Sequence, residues 1–135
     1  MRHWLKLFKS YKDSDVYIVK QGIDLSEIEH MAVSQGLTFF KVDLSRVATK
    51  EDFFSSVSKT LKFPSYFGMN WDAFEECLTD FEWCTSAGYV IVVQAVEAFS
   101  QKVPGEFKIA RSVFKSAVKY WKVQKRPFYV ILVNK

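Results

Sequence analysis

The chain has 135 residues, of which 49% are hydrophobic, 25% charged and 17% aromatic, a composition that fits one compact domain and excludes disorder, collagen-like repeats and two linked cores. No apolar run approaches the roughly 18 residues of a membrane span and the first residues lack a signal-peptide core, so a cytosolic protein that does not enter a membrane is expected. The net charge of +4 conceals a segregation: residues 1–62 carry ten bases and eight acids, residues 63–101 six acids and no Lys or Arg, and residues 102–135 nine bases against Glu106 alone.

At the N-terminus, Trp4, Leu5 and Phe8 alternate with Lys6, Lys9 and Lys12, a pattern for docking onto the domain or touching a membrane surface. The β-branched and aromatic Val16–Val19 reads as a strand ending before Gly22. Asp24 or Ser26 caps a helix running to about Ser34, with Ile28, Met31 and Ala32 on one side and Gly36 as its stop. A second strand covers Phe39 to Leu44, and Thr49 with Asp52 imitates a capping box for a helix carrying Phe53, Phe54, Val57 and Leu61.

Pro64 and Gly68 then impose an irregular loop before Asn70, which caps a helix from Trp71 to about Asp80. Gly88 to Val96 reads as a central strand covered on both faces. Pro104 and Gly105 break the chain before a long helix from about Glu106 to Lys122, and Phe128 to Val133 gives the last strand. Strands alternating with helices predict an α/β layered domain, with a small, mainly parallel sheet of three or four strands.

Two cysteines, Cys77 and Cys84, are read as free thiols, and two histidines, His3 and His30, have no nucleophile beside them. Neither catalytic residues nor a metal or cofactor site is assigned. Asp72 and Glu76, at i and i+4, would hold a hard cation or act as an acid–base pair only with a third ligand or a histidine, which the spacing does not supply. On the helix after Asn70, Asp72, Glu75, Glu76 and Thr79 gather opposite the apolar Trp71, Phe74, Cys77, Leu78 and Phe81. Glu75, Glu76 and Asp80 have no base at i+3 or i+4, so this face is either a solvated stripe or a surface for a cationic partner. Tyr66 and Phe67, on a stiff turn beside it, supply the aromatic part of a binding surface.

The run Phe63-Pro64-Ser65-Tyr66-Phe67-Gly68-Met69-Asn70-Trp71-Asp72-Ala73-Phe74 resembles the signature of the barstar family, small intracellular bacterial inhibitors of ribonucleases. The likeness extends over roughly Leu37 to Val133, which divides the chain into an N-terminal strand-and-helix extension, residues 1–36, and a barstar-like domain, residues 37–135. It implies a barstar-like fold and a non-enzymatic, immunity-type protein, monomeric when free, that blocks a ribonuclease or related nuclease toxin.

The partner-binding residues so implied are Tyr66, Phe67, Gly68, Asn70, Asp72, Glu75, Glu76, Thr79 and Asp80, with Glu76 where the family has a dominant aspartate. Glu75 replaces an interface tryptophan of the family, Asp80 a glycine and Phe81 a second tryptophan. The long helix, which adds acids to the family interface, offers Lys119 and Val123 near those positions, so a positive flank beside the acidic face is expected. Its Arg111, Lys115, Lys119 and Lys122, aligned with Lys108, form a second, basic surface. That stripe is a solvated helix face, an internal complement to the acids, or, as the alternative function, a track for nucleic acid or another interaction partner.

Overall fold

The structure, a computed structural model, describes residues 4–20 and 22–134. Strands β1 (Val16–Val19), β2 (Thr38–Asp43), β3 (Tyr89–Gln94) and β4 (Phe128–Val133) form one parallel sheet in the order β1-β4-β3-β2. The helices are α1 (Trp4–Phe8), α2 (Leu25–Ser34), α3 (Lys50–Thr60), α4 (Trp71–Leu78), α5 (Val96–Lys102) and α6 (Pro104–Val123), with a single 3-10 turn at Glu82–Cys84 among the described residues. This is the α/β layered architecture that the alternation of strands and helices predicts.

Because side chains alternate along a strand, the two central strands supply both faces of the core. Ile91, Val93, Val130 and Leu132 meet the layer formed by α3, α4, α5 and α6. Val90, Val92, Tyr129 and Ile131 meet α1 and α2 on the other side. The connection from β1 to β2 therefore crosses from one edge of the sheet to the other through α2, while β2, β3 and β4 fill in successively from the far edge. The extension lies against the same sheet: β1 pairs with β4, and the buried Trp4 and Phe8 of α1 dock on Tyr17 and Tyr129, so the docked alternative describes this helix.

Local chemistry sets the helix starts. The Asp24 carboxylate accepts the N–H groups of Ser26 and Glu27, and the Thr49 hydroxyl accepts that of Asp52. Asp52 reaches back to the Ala48 N–H at 3.1 Å, one residue before the cap, so the box closes in a shifted form. Gly88 admits no side chain, because a Cβ there would lie 2.7 Å from the Pro127 carbonyl oxygen and 2.8 Å from Leu37.

Four expectations are corrected. The apolar run from Gly88 to Val96 is not all strand: β3 ends at Gln94, Ala95 turns left-handed at φ 59°, and the buried Val96 opens α5, a helix the periodicity did not indicate. A continuous apolar run looks the same whether a strand or a buried helix carries it. The helix from Trp71 ends at Leu78, not Asp80, since Thr79 closes it and Phe81 is left-handed at φ 54°. The long helix begins at Pro104, whose missing N–H is harmless at a first helical position, and runs to Val123. The second strand begins at Thr38 and ends at Asp43, one residue before each expected bound.

Candidate functional site

The loop before α4 is built to separate its two aromatic rings. A turn closed by the Phe67 N–H on the Pro64 carbonyl, at 3.0 Å, sends Phe67 inward against Phe54 and Phe63. Tyr66 is left 73% exposed. Asn70 then fixes the junction from both ends: its Oδ1 accepts the Ala73 N–H at 2.8 Å and its Nδ2 donates to the Gly68 carbonyl at 3.1 Å. Gly68 and Asn70 thus shape the loop, while Met69 sits left-handed at φ 53° with its side chain outward.

Three indoles pin the segment from behind. Trp71 packs on Phe54, with ring centroids 4.7 Å apart, and donates from Nε1 to Glu106 of α6 at 2.9 Å. At the other end of α4, Trp121 Nε1 donates to the Leu78 carbonyl at 2.7 Å. Trp83 Nε1 donates to the Leu61 carbonyl at 3.1 Å, closing the chain behind the loop. Between them, Phe74 is fully buried against Phe53 and Phe114.

The opposite side of α4 is open. Asp72, Glu75 and Glu76 are exposed and Asp80 is half-buried; none of the four has an ion-pair partner among the described residues. Thr79 is half-buried and its hydroxyl donates to the Glu75 carbonyl at 2.9 Å, so it serves mainly to end the helix. Asp72 sits in the first turn, where the helix dipole favours a carboxylate. The Tyr66 phenol is held above its ordinary pKa first by the water it loses on its domain side, and then by the charges of Asp80, Glu82 and Glu76. This tyrosine therefore keeps company with the acids at the C-terminal end of α4. Burial, followed by Asp80 and Glu76, pushes the Cys77 thiol up to about 11.

Glu82, exposed on the turn after α4, belongs to the same electrostatic group, although sequence reasoning counted it only as part of an acidic segment. Positions on α6 add a second finding. Helix residues turn about 100° each, so, counted from Glu106, the exposed Ile109 and Tyr120 fall on the flank that borders α4, while the exposed Val123 falls between that flank and Lys119. Lys108, Arg111, Lys115, Lys119 and Lys122 fall on the opposite flank. The positive flank expected beside the acidic face is thus turned away from it, and the neighbouring ridge is neutral and partly apolar; the residues carrying that phase, Trp71 and Glu106, lie 35 positions apart.

Among the described residues no group of three or more His, Cys, Asp or Glu is placed to hold a metal ion, and no helix is long and apolar enough to cross a membrane.

Residues 37–133 match the family described as barstar (barnase inhibitor). No curated protein matches the chain in sequence. Among solved structures, the chain is similar to the Aeropyrum pernix ORC2 protein in its ADPNP–ADP complexes, with a TM-score of 0.51 and 9% identity over 90% of this chain and 35% of that one. It spans about a third of that protein's length, and the likeness is one of fold alone.

Proposed function

The chain belongs to the barstar family, whose members are ribonuclease inhibitors rather than enzymes, and from that premise we propose that it occupies the active site of a nuclease with the acidic face of α4 and the Tyr66 loop. The observation that carries this reading is the pairing, inside the family-matching segment, of exposed carboxylates that have no ion-pair partner among the described residues with an outward tyrosine on a rigid loop.

A nuclease pocket concentrates arginine, lysine and protonated histidine to hold phosphate. Asp72 and Glu76, one helical turn apart, present oxygens that can accept the same hydrogen bonds, with Glu75 and Asp80 adding field around them. Tyr66 brings a donor and a flat apolar surface beside the acids. The indole bonds to Glu106 and to the Leu78 carbonyl hold α4 in place before binding, so little ordering entropy is lost on association. Within the proposed set, Gly68 and Asn70 act through the shape of the loop, Phe67 by anchoring Tyr66 from below, and Thr79 by ending α4. Tyr120 widens the face with uncharged surface.

Inhibition of RNA hydrolysis tests the reading. Stoichiometric addition of the protein to its cognate ribonuclease should abolish cleavage, and the Asp72→Ala, Glu76→Ala double variant should restore it; unchanged inhibition by that variant rejects the assignment. The alternative, nucleic acid tracked along Lys115 and Lys119, uses the opposite flank of α6. It predicts RNA or DNA binding whose affinity falls steeply with salt and disappears when those two lysines are neutralised.

A further inference from the structure

Strand β1 forms one edge of the sheet, and among the described residues no strand lies beyond it. The carbonyl oxygens of Asp15 and Val19 accept the N–H groups of Val130 and Asn134 at 3.1 and 2.9 Å. Backbone groups alternate sides along a strand, so Asp15, Tyr17 and Val19 address β4 while Val16, Ile18 and Lys20 face outward. The Val16 N–H is taken by the Asp15 carboxylate at 2.7 Å. Ile18, 39% exposed, presents an outward N–H and carbonyl that no other strand pairs.

Cations border this edge on both faces of the sheet. On one face, Lys6 and Lys9 of α1, with Lys20 at the end of β1, rim a groove of about 1370 Å³ whose apolar lining includes Leu5, Val19 and Ile23. Two acids, Asp24 and Glu27, also reach this groove, and the Asp24 carboxylate is engaged in capping α2. On the other face, α6 packs on β4 and β1, with its lysine flank turned away from α4. The far edge of the sheet, β2, exposes one lysine, Lys41, beside one acid, Asp43.

We propose that the β1 edge accepts an extended acidic segment of a partner protein as a fifth strand, pairing with the Ile18 backbone while its carboxylates meet the lysines above and below. Lysines along an edge bar a second edge of like charge, so a second copy of this chain is excluded as the occupant. The same lysines favour a strand of opposite sign, and strand addition supplies register through the backbone and selectivity through alternate side chains. This surface is separate from the acidic face of α4, and the inference does not rest on the inhibitor reading.

The test is fluorescence anisotropy of the full chain with a labelled peptide of about eight alternating valine and glutamate residues. Saturable binding is expected, at least about tenfold tighter than for the same peptide with lysine in place of glutamate. Ile18→Pro removes the outward N–H without touching the β1–β4 ladder. It should weaken binding by about tenfold or more while circular dichroism stays unchanged. Should that variant unfold, a peptide methylated on alternate backbone nitrogens keeps the charges and must lose the binding. Absence of binding at about 1 mM peptide, equal binding of the lysine peptide, indifference to Ile18→Pro in a folded chain, or displacement by single-stranded RNA would each overturn the proposal, the last in favour of a general polyanion surface.

Discussion

Trp121 and Leu78, 43 residues apart in sequence, are joined by a 2.7 Å hydrogen bond from the indole Nε1 to the main-chain oxygen at the C-terminal end of α4. A helix of eight residues has little stability of its own, so this bond and its counterpart from Trp71 to Glu106 hold the proposed binding face in position. Trp121→Phe keeps a buried aromatic ring but removes the donor together with the second ring of the indole. It should cost about 1–3 kcal/mol in chemical denaturation because a buried carbonyl loses its partner. A cost below about 0.5 kcal/mol would mean that the bond does not secure the helix end.

The loop has a similar single fixing point. Asn70→Ala removes the acceptor for the Ala73 N–H and the donor to the Gly68 carbonyl together. The expected loss is about 1–2 kcal/mol of stability, accompanied by faster exchange of the Ala73 amide, whose N–H this side chain accepts. Exchange unchanged at that amide would contradict the role given to this side chain.

Behind α4, Phe53 touches Trp71, Phe74 and Phe99 and is 1% exposed. Phe53→Ala should therefore cost about 3–5 kcal/mol, enough to leave a marginal domain partly unfolded at 37 °C. Thermal unfolding read by near-ultraviolet circular dichroism measures it.

The Tyr129 hydroxyl shares its one proton between the carbonyls of Leu7 and Ser10, tying α1 to β4. Burial, then the charges of Tyr17 and Asp13, raises its pKa well above the tyrosine range. A raised folded-state pKa means that this stabilisation is complete below about pH 10, the unfolded value, and declines as pH rises beyond it. Denaturation midpoints should accordingly fall above pH 10, and the difference between the wild type and Tyr129→Phe should shrink over the same window.

Cys77, buried and with its thiol pushed up to about 11 by burial, Asp80 and Glu76, should resist iodoacetamide at neutral pH in the folded protein. Mass spectrometry should find the label on Cys84 first; early labelling of Cys77 would show that the end of α4 opens readily.

Much of this molecule is legible in the sequence where one local rule decides. Asp24, Thr49 and Asn70 cap the helices they precede, and the buried β3 and β4 read as apolar runs. The acidic face of α4 follows from spacing alone, whereas the Pro64 and Gly68 bracket marks an aromatic turn without separating its rings: both are expected at the binding surface, and packing on Phe54 and Phe63 turns Phe67 inward and leaves only Tyr66 exposed. What stayed hidden depends on partners far along the chain. No spacing rule links Trp71 to Glu106, and without that bond the rotation of α6 against α4 is undetermined, so the resemblance puts Lys119 beside an acidic face from which it turns. The start of α5 was equally obscure, because Ala95 adopts a left-handed turn that its residue type does not advertise.

The central claim is that the carboxylates of α4 take the place of phosphate in a nuclease pocket, and the affinity of the chain for its cognate ribonuclease, measured by titration calorimetry, tests it most directly. Each charge-assisted hydrogen bond is worth about 1.5–3 kcal/mol, so Asp72→Ala with Glu76→Ala should weaken binding by about a hundredfold or more while Lys115→Ala with Lys119→Ala leaves it nearly unchanged. Equal affinity of the carboxylate variant and the wild type, or a loss confined to the lysine variant, would contradict the account.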